Sequence, residues 1–103
     1  MENQYVENDT ATVGTSSVTL FKRVLLGQKR IEFAITNTSS TQDVYIFMGN
    51  IAAVSGSGIK LTPNTSFIQS TDAGSSCWQG EVQCIASAAA GSVAIMQRIA
   101  DVK

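Results

Sequence analysis

The sequence predicts an all-β protein, a single small antiparallel β-sandwich of jelly-roll or immunoglobulin-like type with about seven or eight strands. Three observations predict it. Apolar and polar residues alternate with period two in segment after segment, and no stretch carries the 3.6-residue period of a packed helix. The apolar segments are short and recur at the spacing of about 8–12 residues common in sandwiches and barrels. Clusters of Ser, Thr, Asn, Asp and Gly, whose side chains or backbone freedom favour turns, separate them. The chain has 103 residues, enough for one core. Two packed sheets are the simplest way to bury the alternating faces.

Residues 1–16, MENQYVENDTATVGTS, are polar and acidic and read as an N-terminal arm or edge strand, with the sandwich domain over 17–103. They contain no apolar h-region, so they do not read as a signal peptide. "SSVTLF" and "KRVLLG" follow as one long bent strand or two short ones. "RIEFAIT" is the clearest alternation: Ile31, Phe33 and Ile35 point inward, and Arg30, Glu32, Ala34 and Thr36 point outward. "NTSSTQD" is a turn. "DVYIFMG" is apolar on both faces, so its strand is either central or covered by a neighbouring subunit, with Gly49-Asn50 closing it.

"IAAV" reads as a short strand or turn before a flexible "SGSG". "GIKL" and "SFIQS" are strands broken at Pro63-Asn64, because proline has no N–H for a ladder. After a turn at "TDAGSS", "WQGEVQCIA" is a strand. "SAAAGS" reads as a tight turn in preference to a small-residue contact between subunits, and "VAIMQRIA" closes the sandwich.

Composition narrows the chemistry. Charged residues are 15% and net charge is −1, so nothing draws the chain to a phosphate backbone or an anionic membrane. The pairs Lys22-Arg23 and Lys29-Arg30 read as solvated residues around a turn. No apolar run approaches the roughly 20 residues of a membrane span. Asn8, Asn37 and Asn64 begin glycosylation sequons and read as turn residues.

The chain has no His, which removes the commonest general base and metal ligand. Two Cys alone cannot complete a tetrahedral zinc site. The eight carboxylates are dispersed along the sequence. "SGSG" lacks the Lys-Ser/Thr and the helix of a phosphate loop. No catalytic residue, cofactor or metal site is expected, and the protein reads as a non-enzyme.

"SSCWQGEVQCIAS" holds the only Trp and both Cys. Cys77 and Cys84 lie seven positions apart, about 23 Å along a strand at roughly 3.3 Å per residue. A disulfide needs Cα atoms within about 7 Å, so both read as free thiols. Alternation places Trp78, Gly80, Val82, Cys84 and Ala86 on one face, with Gly80 leaving room for the indole. The expected core anchors are Trp78, Phe33, Ile35, Ile46, Val82 and Ile95, and removing the Trp78 ring is expected to destabilise the fold strongly. Tyr5, Tyr45 and Phe47 are the candidate partner contacts, with the last two expected mainly to fill one side of a doubly covered strand.

The order of elements also carries a resemblance. "ITNTS" at 35–39, "VYI" at 44–46, the segment Gly58 to Pro63, "WQGEVQCIA" at 78–86 and "GSVAI" at 91–95 resemble small β-sandwich virion proteins of tailed bacteriophages, over about residues 30–99. The resemblance implies a non-enzymatic capsid decoration or cement protein that binds the major capsid protein or another virion protein. It implies a homo-oligomer, trimer or dimer, located on the capsid surface and made in the host cytoplasm. The alternative is a head-fibre or spike module that recognises a receptor or glycan. Neither reading involves nucleic acid or membrane. Because the N-terminal segment departs from the family pattern, its mode of attachment is open. As an arm, it should be removable over residues 2–15 without unfolding the rest.

Overall fold

The computed structural model describes residues 4–71 and 77–101. Residues 1–3 of the expected arm and most of the "TDAGSS" turn lie outside them. Eight strands run in chain order: β1 Gln4–Val13, β2 Val18–Phe21, β3 Gln28–Asn37, β4 Val44–Met48, β5 Ile59–Leu61, β6 Ser66–Ser70, β7 Val82–Ala86 and β8 Gly91–Asp101. They form two four-stranded antiparallel sheets, β1-β8-β3-β6 and β2-β7-β4-β5. The pairs β1 with β8, β2 with β7, β3 with β6 and β4 with β5 nest inside one another, which is the strand order of a jelly roll.

Alternation builds the core. Val13, Phe33, Ile35 and Val93 from the first sheet meet Phe21, Val44, Ile46, Leu61, Val82, Cys84 and Ala86 from the second. Phe33 packs edge-on against Phe21 at 5.6 Å between ring centroids and tilted against Phe67 at 5.8 Å. Of the expected anchors, Phe33, Ile35, Ile46 and Val82 are fully buried, and Ile95 is half-buried against the same cluster.

Trp78 is not an anchor. It is 38% exposed, because the chain joins the ladder only at Val82. Period-two alternation continues in the sequence through residues 77–81, but their backbone is bonded to side chains and to the N–H groups of Val24 and Gly49 instead of to a strand ladder.

The inward set of β3 also differs from simple alternation. Arg30 pairs with Ile99 and Glu32 with Arg98, so Ile31 is an extra residue, a β-bulge. The bulge puts Arg30 on the inner side, where it is fully buried, and leaves Ile31 half-buried. Beyond it, Glu32 is an outward residue and pairs with Arg98 at 3.0 Å.

The "VLLG" run is loop, not strand. Residues 22–27 turn between β2 and β3, with Gln28 N–H donating to the Leu25 carbonyl at 3.0 Å and Gly27 at φ +85°. Leu25 and Leu26 are exposed. "IAAV" likewise forms no strand; the 49–58 segment is bonded at Gly49 to Glu81 and Gln83, and at Ala53 to the Ser17 hydroxyl. Gly58 meets the Phe47 ring closely enough that a Cβ there would sit 2.7 Å from it. These ties draw the segment over the outer side of the second sheet, and the outward residues of β7, Gln83 and Ile85, are buried.

The end of the sandwich away from the β2–β3 loop is held by Asn37. It is fully buried. Its Nδ2 donates to the Gln42 and Leu61 carbonyls at 2.8 Å each, and its Oδ1 accepts from Ser39 N–H at 2.9 Å. The Pro63-Asn64 break and the "SAAAGS" segment are turns, with Asn64 and Ala90 both at φ 68°.

Candidate functional site

The β2–β3, β4–β5 and β6–β7 connections share one end of the sandwich with the start of β1 and the end of β8. Arg30 organises that end. Its Nε donates to Gln97 Oε1 at 2.9 Å, and its Nη1 to the Trp78 carbonyl at 2.7 Å and the Gly80 carbonyl at 3.1 Å. Its Nη2 donates to the Lys22 carbonyl at 2.9 Å. The guanidinium lies 5.2 Å from the Phe21 centroid and 5.6 Å from that of Phe33, within cation–π range. No carboxylate is among these partners. Carbonyl dipoles and ring faces take its charge, and burial holds its pKa below the usual value, a pull that Cys77 partly offsets.

The backbone of Arg30 is bound as well. Its N–H donates to Gln79 Oε1 at 2.6 Å, and Gln79 Nε2 returns bonds to the Arg30 carbonyl at 2.7 Å and the Cys77 carbonyl at 2.8 Å. Residues 77–80 are thus strapped to the start of β3 by two side chains. Trp78 N–H donates to Gln69 Oε1 at 2.6 Å, which ties the same stretch to β6.

That strap fixes the indole. Trp78 Nε1 donates to the Glu81 carbonyl at 2.9 Å. The ring lies across Gly80, where a Cβ would stand 2.7 Å from Cζ2 and 3.0 Å from Cε2. The space that Gly80 leaves for the ring is therefore used, but at the surface. Beside the ring is an open cleft of about 520 Å³ bounded by Arg23, Asn50 and Glu81 among others. A second cleft of about 680 Å³ runs along the β2–β3 loop past Lys29, Thr71 and Cys77.

The cysteines are both free and buried. Burial raises the Cys77 pKa, opposed by the positive charge of Arg30. Cys84 is in the core, and burial pushes its pKa up to about 12. Neither has the exposed thiolate that disulfide exchange requires. Among the described residues, no group of three or more Cys, Asp or Glu is placed to hold a metal ion. Among the described residues, no helix is long and apolar enough to cross a membrane.

The expected partner contacts are scattered. Tyr5 is 41% exposed on β1. Tyr45 and Phe47 are half-buried on the outer side of β4, at the centre of its sheet, and the chain's own Gly58 covers Phe47. Arg30 escaped the sequence reading because a one-residue bulge reverses its direction. The sequence carries no signal for it: Arg30 stands beside Glu32 at i+2, as on an ordinary solvated strand face.

No protein-family model matches the chain, and no curated protein does. Among solved structures, a chain described under "Bacillus endospore appendages form a novel family of disulfide-linked pili" superposes with a TM-score of 0.63 at 12% identity. The match covers 99% of this chain and 89% of that one. At that identity the likeness shows the fold: a small all-β sandwich of two antiparallel sheets.

Proposed function

We propose that this chain is a non-enzymatic structural subunit of a repetitive protein assembly, acting as a decoration or cement protein on the outer shell of a virion. The observation that carries the reading is the open flank between β1 and β2. β1 is ten residues long and lies at the edge of its sheet, with Gln4 to Thr10 all exposed. Its outer N–H and C=O groups face away from the fold without a proline to interrupt them. Between β1 and β2 run shallow clefts of about 550 Å³ and 370 Å³ onto Leu20, Phe21, Ile95 and Ile99. An edge of that kind takes a strand from a neighbouring protein by backbone pairing, while the cleft receives alternate side chains. The order of motifs over residues 30–99 supports a virion setting, and the low-charge surface suits many small contacts repeated by symmetry.

A second reading, a filament subunit, has the fold of the appendage protein in its favour. Disulfide linkage of the kind that protein's description gives does not carry over easily, because both thiols here are buried. A filament of this chain would be held by strand pairing and side-chain packing.

Tyr5→Asp combined with Val6→Asp tests the flank, since both side chains are exposed and the substitutions leave the core untouched. The purified double variant should keep its circular dichroism and melting temperature but fail to multimerise by light scattering and fail to join particles in electron micrographs. Unchanged multimerisation and incorporation would defeat the proposal. Homopolymeric filaments from the wild type alone would select the second reading.

A further inference from the structure

We infer that the Trp78 cleft is a saccharide-binding site whose ligand is a pyranose stacked on the indole. The inference does not depend on the assembly reading, because the cleft is bounded by loops at the end of the sandwich, contains no residue of β1, and shares only Arg23 with the flank clefts.

An exposed tryptophan has given up burial that would stabilise the fold. This chain nevertheless fixes the ring at four points: backbone N–H to Gln69, backbone carbonyl to Arg30, indole N–H to the Glu81 carbonyl, and one ring face against Gly80. A ring held this way presents its free face at little further cost in entropy, which is what a stacking platform requires. One of those points is a fully buried arginine and another is Gln69 on β6, so the platform is anchored to the sandwich and not to a loose loop.

The walls of the cleft select the ligand. Among the described residues, Trp78 is the only large apolar side chain lining it, and the others include Arg23, Asn50 and Glu81. The buried core of a protein–protein interface is apolar and depleted of charged residues, whereas Arg23 and Glu81 stand around the ring here. A pyranose has an apolar C–H face to lay on an indole and a rim of hydroxyls, each both donor and acceptor. A guanidinium donates, a carboxylate accepts and a carboxamide does both, so the three polar side chains match that rim. Arg23 is outside both ion pairs formed among the described residues, which leaves it free for a sugar hydroxyl or carboxylate. The volume of about 520 Å³ accommodates one or two sugar rings.

Trp78 is the sole tryptophan, so intrinsic fluorescence reports on this site alone. The full chain is titrated with N,N′-diacetylchitobiose, maltose, lactose and digalacturonate, with calorimetry in parallel. At least one probe should give a saturable emission change with Kd of about 1 mM or tighter. By calorimetry Trp78→Ala should bind it about tenfold more weakly, the order of one lost stacking contact. Trp78→Phe should recover most of the affinity, and Asn50→Ala and Glu81→Gln should each weaken it with an unchanged melting temperature. If Trp78→Ala fails to fold, the Phe, Asn50 and Glu81 variants still decide the matter. No saturable response to any of the four probes overturns the inference, as does wild-type affinity in the Trp78→Ala or Glu81→Gln protein. An emission that moves only on multimerisation also overturns it and makes the ring a protein contact.

Discussion

Replacing Arg30 with Met tests how the loop end is held. Methionine keeps the length and apolar stem of arginine and can still touch Phe21 and Phe33, but all four side-chain hydrogen bonds are lost. Those bonds run to Gln97 Oε1 and to the Trp78, Gly80 and Lys22 carbonyls. A hydrogen bond to a charged group contributes about 1.5–3 kcal/mol, and a buried acceptor left without a donor costs about 1–3 kcal/mol. The variant also relieves the desolvation of a buried charge, which offsets part of the loss. Water reaches the Lys22 carbonyl most readily, since that residue is exposed. The net expectation is a loss on the order of 3–5 kcal/mol, a large share of the 5–15 kcal/mol typical of a domain. Urea denaturation followed by fluorescence should show a lower midpoint at unchanged slope, and the melting temperature should fall by more than about 12 °C. Trp78 emission in the folded variant should shift to the red as the strap loosens. Arg30→Lys keeps the charge but not the planar fork, and should lose about 2 kcal/mol or more. A methionine variant within about 1 kcal/mol of wild type, with native emission, would refute the idea that Arg30 holds this end together.

Four further outcomes follow. Asn37→Asp puts a carboxylate against the Gln42 and Leu61 carbonyls, and should cost about 3 kcal/mol or more at neutral pH. Its folded pKa would be raised, so urea midpoints should recover as pH falls and the group is protonated. Gly80→Ala places a methyl 2.7 Å from the indole; the ring must move, emission should redden, and stability should fall by about 1 kcal/mol. Cys84 holds its proton in the folded state up to about pH 12 but from about 9 upward loses it when unfolded. The folded state therefore binds more protons across that window, and stability is lost as pH rises through it. Cys84→Ala should flatten the alkaline limb of a stability–pH curve. At pH 8 a thiol reagent should label neither cysteine of the folded protein at the rate it labels the urea-unfolded chain.

The sequence pattern carried the sandwich further than it carried the site. Phe33, Ile35, Ile46 and Val82 lie where alternation and ladder coincide, so their burial was legible. Arg30, Asn37 and Trp78 lie where the two part company. A bulge at Ile31 turns Arg30 inward, and no local pattern announces a bulge, since it depends on the register with β8. Asn37 reads as one more turn residue, yet it is fully buried at the end of β3 because two carbonyls from other segments require a donor there. Trp78 sits in an alternating run whose backbone is captured by Arg30, Gln69 and Gln79 before it reaches the ladder. Leu25 and Leu26 show the converse: an apolar run that looks like strand but is loop, because Gly27 at φ +85° closes a turn. The removable-arm expectation for residues 2–15 also changes. Val13 is fully buried and β1 covers β8 along ten positions, so that deletion would expose core and leave β8 with a bare edge.

The nested pairing of the strands also has a temporal side. β4 and β5 are close in sequence and can meet early, whereas β1 must wait for β8, whose last paired residues are Ala100 and Asp101. Closing such long loops is slow in entropy terms. On a ribosome, β1 is made first and finds its partner last. Throughout that interval its whole length, both edges included, is open to strands of other chains. The edge read above as an attachment site in the finished protein is, before β8 arrives, the point at which the nascent chain is most open to mispairing. Its Glu7 and Asp9, set among Asn8 and Thr10, keep it soluble until the sheet closes.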